Sequence, residues 1–496
     1  MEYALNKHTS IEVFIALAQP GQSIFIAEEV YRAATQSRNF LDGLLVENDQ
    51  AYYGINTGFG ALCQVRIPEA QLEALQENLV RSHACGVGAE CRPEIVRLML
   101  ALKIQSLILG HSGVSRATIM RLVDFYNHDV LPVVYEMGSL GASGDLAPLA
   151  HLCLPLMGEG AVVWKGKRMH AAAVCSQLAW DPVKLQSKEG LALLNGTQYM
   201  SALGLWAIHE GRKLSAISNM CAALSIDAFG GNLQPFHPLL HKVRPHNGQI
   251  QTAQDILMWL EEGAIHERLP AGVQDPYSFR CVPQVHGASS DVLAHVTSVF
   301  AIECQSVSDN PLIFPNEHLI MSGGNFHGQP LALALDYLAM ALVELGSISE
   351  RRTFQLLSGS RGLPPFMAAD SGLHSGYMIP QYTAASLVSQ NRQLAIPASI
   401  DNVTSSNGQE DHVSMGANAG VRLQKIIDNL WSIFGVEWMT AAQAIDERKT
   451  TTAPKLEQIR QSYRQIVPTL KGDRILSVDM HASSKFLRDL QLSQFT

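Results

Sequence analysis

The sequence predicts a mainly α fold, with a small N-terminal part over residues 1–110 followed by a large helical bundle over residues 111–496. Three observations carry that expectation. Apolar residues recur at helical spacing along most of the chain, strand signals are few and short, and no repeat, low-complexity tract or Gly/Ser linker intervenes. Length alone, 496 residues, would allow about three ordinary domains.

The helices can be read in order. Between Glu69 and His83, the residues Leu72, Leu75, Leu79 and His83 form one helical face. Pro93 opens a second helix and Gly110 closes it, the usual polarity for those residues. Ser115 is placed to cap a third, with Ile119, Leu122, Val123 and Tyr126 facing inward. Longer helical stretches follow at 189–228, 286–306, 328–357 and 415–447. One hairpin is expected, Leu312-Ile313-Phe314 and Leu319-Ile320-Met321 about a Pro315-Asn316-Glu317 turn. The glycine-rich pieces fall between helices, where loops that carry chemistry tend to lie.

Composition narrows the function classes. Hydrophobic residues make up 47% and charged residues 16%, a balance that suits a large core and extensive subunit contacts. The formal net charge of -9 without a Lys/Arg run argues against a nucleic-acid surface. The start, MEYALNKHTS, lacks a basic-then-apolar signal pattern. The apolar run Leu331 to Leu345 is interrupted by Asp336 and Glu344, short of the roughly 18 uncharged residues a membrane span needs. Eight cysteines without a CxxC pair read as reduced core residues. A soluble cytoplasmic protein is expected. Three familiar motifs fail. His237 and His241 have metal-pair spacing, but Pro235 and Pro238 make a regular helix doubtful there and no carboxylate lies nearby. His266-Glu267 begins HExxH, yet position 270 is proline, and the GxGxxG begun by Gly86 and Gly88 ends on Cys91.

The segment Gly138-Ser139-Leu140-Gly141-Ala142-Ser143-Gly144-Asp145-Leu146-Ala147-Pro148 is different. A tight loop entering a helix, capped by Ser143 or Asp145, accounts for part of it but leaves the run of small residues unexplained. An Ala-Ser-Gly triple can cyclise when the Gly144 nitrogen attacks the Ala142 carbonyl carbon. Dehydration then leaves 4-methylidene-imidazole-5-one, an electrophile made from the chain itself. Glycine suits the attacking position because no side chain obstructs the approach. A helix N-terminus beside it would stabilise developing negative charge, and its free amides would bond the ring carbonyl.

With its longer context this segment resembles the aromatic amino acid ammonia-lyase family. The resemblance spans nearly the whole chain through motifs in family order: YGINTGFG (53–60), NLVRSHACGVG (78–88), GASGDLAPLAH (141–151), LLNGTQ (193–198), VQDPYSFRCVPQVHG (273–287), DNPLI (309–313), GGNFHG (323–328) and GQEDHVSM (408–415). It implies the aspartase/fumarase-like helical superfamily, an electrophile from Ala142, Ser143 and Gly144, and no metal or diffusible cofactor. It also implies an amino acid substrate and a homotetramer whose active sites are shared between subunits.

The resemblance also assigns roles. Asn195 is similar to the residue that bonds the ring carbonyl; otherwise it is a buried Asn serving helix-end amides. Phe326 resembles the aromatic that shields the ring, although a core aromatic would look the same. Tyr53 resembles the catalytic tyrosine and would need a lowered pKa. Arg280 suits a substrate carboxylate, with a structural ion pair as the alternative, and Tyr277 lies three residues before it. Gln274 resembles a contact to the substrate amine or ring. Tyr53, Tyr277 and Glu410 all remain candidates for the β-proton acceptor.

Family members act on histidine, tyrosine or phenylalanine. Ser82-His83 stands where many phenylalanine lyases read phenylalanine-leucine, but some tyrosine lyases share the pair. Glu410 stands where phenylalanine and tyrosine lyases usually have glutamine. A carboxylate matches an imidazole N–H and is poorly matched to a phenyl ring, so L-histidine is expected, with trans-urocanate as product. Tyrosine or phenylalanine lyases and aminomutases remain the alternatives; a non-enzymatic helical scaffold is disfavoured by the joint presence of the GASGD segment, Tyr53, Arg280 and Glu410. Two departures are minor: the stretch SSNGQED carries an inserted-looking Gly408, and His286 replaces a residue often apolar.

Overall fold

The computed structural model describes residues 1–47, 50–264, 273–368, 370 and 372–494. By contact they divide into two compact units: Met1–Ala207, Thr297–Asp336 and Pro397–Val421 form the first, and Ile208–Val296, Tyr337–Ile396 and Arg422–Thr496 the second. The expected boundary after residue 110 falls inside the first unit, which gathers residues by contact rather than by order.

In the first unit, α1 (Leu72–His83) buries Leu72 and Leu79 along the expected face, with His83 half-buried at its end. Helix α2 (Pro93–Ile108) has Pro93 in its first turn, and Gly110 just beyond it adopts φ 84°. Every residue from Ile95 to Ile108 is buried, so this helix is enclosed on all sides. Ser115 caps α3 (Arg116–Asn127) by accepting from the Thr118 N–H, and Ile119, Leu122 and Tyr126 face inward. A short helix, α4 (Leu146–Cys153), follows the small-residue turn.

The stretch expected to be one helix over 189–228 is two, α5 (Glu189–Leu194) and α6 (Gln198–Phe229). Asn195 is extended and Gly196 sits at φ 132°, outside any helical range. Apolar periodicity continues through the break and hides it, although Asn-Gly is itself a turn signal. Helices α7 (Val282–Glu303), α8 (Gln329–Leu357) and α9 (Gly416–Glu447) lie close to their expected positions. In α8 the Asp336 carboxylate is buried and accepts from the Ser399 N–H at 2.8 Å, so the charge in this apolar run has a partner. The hairpin pairs Leu312 with Met321, Ile313 with Ile320 and Phe314 with Leu319, and Ile313 packs with Leu41 and Ile55. Further small sheets join Glu2–Ala4 to Ser23–Phe25, Val87–Glu90 to Tyr135–Met137, and Ala161–Trp164 to Leu131–Pro132 and Lys167–His170. Strands of two to four residues are too short for an alternating pattern to reveal.

In the second unit, Arg352 and Glu437 form a fully buried ion pair at 2.5 Å, and Ser225 Oγ also donates to Glu437 at 2.7 Å. The Arg352 guanidinium donates to His286 Nε2 at 3.3 Å, while His286 Nδ1 donates to Asn219 Oδ1 at 2.8 Å. Position 286 is therefore a partnered core histidine, and burial beside Arg352 holds its pKa well below the usual value. The proline-rich stretch near His237 does form a helix, Pro238–Lys242, because Pro238 occupies the first position, where no N–H is needed. His237 caps it from outside and His241 bonds Gln249, and among the described residues no group of three potential ligands could hold a metal. The failed HExxH at 266–270 lies outside the described residues.

Replacing Arg352 with Met strands the Glu437 carboxylate in a dry interior and is expected to cost about 3–5 kcal/mol. The denaturant midpoint should drop accordingly, and R352M/E437L should recover most of the loss. A single variant as stable as wild type would show that the pair is not buried as described.

Candidate active site

Residues 138–145 form a compact turn. Gly138, Gly141, Ser143 and Gly144 all have positive φ, at 141°, 73°, 73° and 77°. For Ser143 this is uncommon, because its β-carbon crowds the backbone. Gly141 and Gly144 pair across the turn, so Ala142 and Ser143 sit at its corner, half-exposed. Gly144 also pairs with Gly196 in the α5–α6 break. A β-carbon on Gly144 would lie 2.2 Å from the Gly196 carbonyl oxygen, and one on Gly141 would lie 2.1 Å from Ser414 Oγ. Both positions require glycine.

The same break presents Asn195. Its Nδ2 donates to the Ser143 carbonyl oxygen at 2.6 Å, while its buried Oδ1 has no hydrogen-bond partner among the described residues. The Asp145 N–H donates to Gly196 O at 2.8 Å. Of the two donors expected at the carbonyl of residue 143, the Asn195 side chain is the one found there, while the first α4 amides are used elsewhere or left open. Asp145 precedes α4 without capping it: its fully buried carboxylate accepts from Ser139 Oγ at 2.9 Å and from the Met200 N–H at 2.8 Å. Burial pushes that carboxyl up to about 7, against the pull of those bonds and of Lys103. A folded turn, a glycine at the attacking nitrogen, a donor on the central carbonyl and an orphaned buried oxygen fit the methylidene-imidazolone that the sequence implies.

Other motifs lie against this turn or against the helices beside it. Gly54, beside Tyr53, is jammed against Leu191 of α5. The Gly60 N–H donates to the Tyr53 hydroxyl at 3.2 Å. Burial raises the Tyr53 pKa, and the Glu410 carboxylate adds to that, outweighing the Gly60 bond. The lowered value expected from the sequence is therefore reversed by the chain's own groups. Glu410 pairs with Ser405 through a loop in which Ser406, Asn407 and Gly408 all have positive φ, so the extra glycine serves a tight bend. Its Oε2 is buried without a hydrogen-bond partner among the described residues. His83 Nδ1 donates to Leu79 O at 2.8 Å, which makes Nε2 the accepting nitrogen, and burial lowers its pKa. Phe326 is half-buried in the GGNFHG turn, where Gly328 leaves no room for a β-carbon beside Met200. The Met415 N–H donates to Leu140 O at 3.0 Å.

Gln274, Tyr277 and Arg280 lie in the second unit. Their segment is anchored by two residues four positions apart: Asp275 accepts from the Asn232 N–H at 2.6 Å and from Arg361 at 2.8 Å, and Phe279 stacks on Phe229 at 4.3 Å. What is left outward is Gln274 and Tyr277, the latter 70% exposed. The Arg280 guanidinium stacks over the Tyr277 ring at 4.5 Å. Among the described residues no carboxylate pairs with it.

Several supporting residues escaped the sequence reading. Lys103, Ser139, Gly196, Met200 and Ser414 all touch the turn or its supports. His151 Nε2 accepts from the Gly86 N–H at 3.0 Å and ties the 78–88 motif to α4. A lone lysine in the apolar run IVRLMLALKIQSLI was the legible signal for Lys103.

The chain matches the aromatic amino acid lyase family over residues 9–465. The histidine ammonia-lyase of Deinococcus radiodurans is 45% identical over 480 residues, 96% of this chain and 91% of the relative. A crystal structure of histidine ammonia-lyase from Trypanosoma cruzi is similar with a TM-score of 0.91 and 38% identity, covering 98% of this chain and 93% of that one. The tyrosine aminomutase of Streptomyces globisporus gives a TM-score of 0.93 at 33% identity, covering 99% and 100%. These relations define a lyase of the mainly α, aspartase/fumarase-like class. The chain belongs to the aromatic amino acid lyase family.

Two outcomes follow from the turn. Gly144→Ala forces a β-carbon onto the Gly196 carbonyl and should destabilise the protein by about 2 kcal/mol or more, whereas Gly323→Ala, which meets nothing within 4 Å, should stay within about 0.5 kcal/mol. Thermal midpoints would separate them, and equal midpoints would refute the close approach. Asp145 keeps its proton up to about 7 when folded, against an ordinary value of 3.8. Its contribution to stability is therefore full below about pH 4 and is lost as pH rises through about 7. The midpoint of wild type minus that of Asp145→Asn should fall between about pH 5 and about pH 7.5, and a flat difference would contradict a buried, raised carboxyl.

Proposed function

We propose that this protein is an ammonia-lyase that converts L-histidine to trans-urocanate and ammonia, the first step of histidine breakdown. The observation that carries the chemistry is the bond from Asn195 Nδ2 to the carbonyl of Ser143, made over a turn that only glycine at 144 allows. Glu410 carries the choice of substrate, and relatives from 43% to 45% identical bear the name histidine ammonia-lyase.

In this reading Ala142, Ser143 and Gly144 form 4-methylidene-imidazole-5-one, which supplies an electrophilic carbon that turns the substrate amine into a better leaving group. Asn195 draws electron density from the carbonyl of residue 143. Phe326 helps keep water away. The neutral ring of His83 offers Nε2 as an acceptor, and the Glu410 carboxylate accepts from the substrate imidazole N–H. Arg280 grips the substrate carboxylate at two points, with Gln274 beside the amine or ring. The β-proton goes to Tyr53, Tyr277 or Glu410, and the raised pKa of Tyr53 means that its hydroxyl carries a proton at neutral pH until its surroundings change.

We also propose a homotetramer with shared sites. Tyr277 and Val273 stand exposed on an otherwise anchored loop. On α8, Leu333, Tyr337 and Met340 form an exposed stripe spaced by four and three, an apolar face that a further copy of the chain would cover. A reducing, cytoplasmic setting accords with eight unpaired cysteines. Turnover of tyrosine or phenylalanine, or an aminomutase outcome, is the second reading, prompted by the fold match to a tyrosine aminomutase.

The test is a substrate panel on purified protein. L-Histidine should give the ultraviolet absorbance of a conjugated imidazole acrylate about a hundredfold faster than tyrosine or phenylalanine react. Faster turnover of either aromatic substrate would overturn the assignment. Ser143→Ala should lose the two-water mass deficit and at least about a thousandfold in kcat. Glu410→Gln should harm histidine turnover far more than any aromatic turnover.

A further inference from the structure

Lys103 lies in the middle of α2, and its ammonium is completely buried. Among the described residues it makes no ion pair of its own. Its Nζ donates to Ala192 O at 3.1 Å and to Asn195 O at 3.0 Å, the carbonyls left open where α5 ends. The titratable groups that act on it are Asp145 before α4, Cys153 in α4, Asp309, and Lys188 before α5. Asp309 is already taken by Lys188 at 2.5 Å and by Ser112 Oγ at 2.9 Å. An ammonium sealed in a dry interior without a carboxylate is expensive, and burial pulls its pKa down to about 8. A neutral, well-packed side chain would be easier to accommodate if α5 needed nothing but filling.

What the cation touches is the residue that serves the turn. The Asn195 main chain is held by its N–H on Leu191 O at 2.9 Å and by its carbonyl on Lys103, while its side chain reaches the Ser143 carbonyl. We propose that Lys103 is a positioning residue of the site: from beneath the α5–α6 break it fixes the Asn195 main chain so that the Asn195 carboxamide meets the carbonyl of Ser143, and closure of the 142–144 turn depends on it. This rests on the reading of residues 142–144 as the electrophile's precursor. Closure is redox-neutral. The Gly144 nitrogen bonds to the Ala142 carbonyl carbon, and the first water leaves with that carbonyl's oxygen and the amide protons of Ser143 and Gly144. The second leaves with the Ser143 hydroxyl and its Cα proton. That proton is acidified by the carbonyl that Asn195 polarises, so misplacing Asn195 slows the second loss.

The test is a double-mutant cycle on the full-length protein: wild type, Lys103→Met, Asn195→Ala and both together. Intact mass, kcat, KM and thermal midpoint are measured on folded, soluble material. K103M should lower the fraction of chains lighter by two waters at least about fivefold and lower kcat with it, with KM changed less than about twofold. In the N195A background, K103M should change either quantity by less than about twofold, because Lys103 acts through Asn195. A merely structural lysine would lower the midpoint, leave the two-water fraction of folded chains intact, and give losses that multiply; any of the last two results overturns the proposal. Should K103M not accumulate in folded form, Lys103→Gln replaces it, keeping N–H donors without the charge. A wild-type two-water fraction in folded K103Q overturns the proposal, and a reduced one supports it. A wild-type chain of full mass would overturn the reading of residues 142–144, and this proposal with it.

Discussion

Two stretches of backbone can lie flat together only where no β-carbon stands between them, and Gly144 against Gly196 is such a place. The facing carbonyl lies where a β-carbon on residue 144 would have to go, at 2.2 Å. That contact brings the Asp145 N–H onto Gly196 O and the Asn195 carboxamide onto Ser143 O. It also lets the Asp145 carboxylate take the Met200 N–H, one of the open donors in the first turn of α6. Turn, helix break and helix start are thus a single arrangement, and a side chain at either glycine would undo all three.

A break inside a buried apolar segment exposes polar backbone that water cannot reach, and buried charged groups serve the backbone at both ends of α5. Lys103 takes two carbonyls at the end of α5. Glu189, at the other end, accepts from the N–H groups of Ser115 and Gln186 and from the Thr118 hydroxyl. Lys188 pairs with Asp309, itself held by Ser112. Isolated buried ions destabilise, whereas ions that satisfy backbone groups and each other fix one geometry.

The same physics explains what the sequence disclosed. Long helices were legible because burying a stripe demands regular spacing, and α7, α8 and α9 follow it closely. The hairpin was legible because its strands flank a turn-forming segment. The break at Asn195 was not, since α5 and the start of α6 are buried all round and continuous apolarity carries no phase. Of the residues expected at the site, Ser143, Gly144 and Asn195 do come together, and Tyr53 and Glu410 interact. Those contacts join residues far apart in sequence, so only the motifs pointed to them. The direction of the Tyr53 shift was beyond reach, because it depends on burial and on a carboxylate more than three hundred residues away along the chain.

That reversed shift bears on how an amino acid would be handled here. A buried phenol beside a carboxylate resists ionisation, because a second negative charge would join the first where little water screens either. A cation arriving next to both would remove the carboxylate's share of that resistance, while burial, the larger cause, would remain. In the function proposed above, the substrate brings positive charge in its ammonium group, and an imidazole can add to it. Glu410 would then be partnered, its buried oxygen satisfied, and the repulsion that holds the Tyr53 proton in place would fall as the substrate seats. Burial by itself still favours the neutral phenol, so the proton would be released only as far as the incoming charge outweighs desolvation. In that function a carboxylate at 410 would have two consequences: it would select for a ring that can donate or carry charge, and it would tie the readiness of the tyrosine to that ring's arrival. Glutamine at the same position would keep neither, since a neutral amide neither pairs with an imidazolium nor raises the phenol.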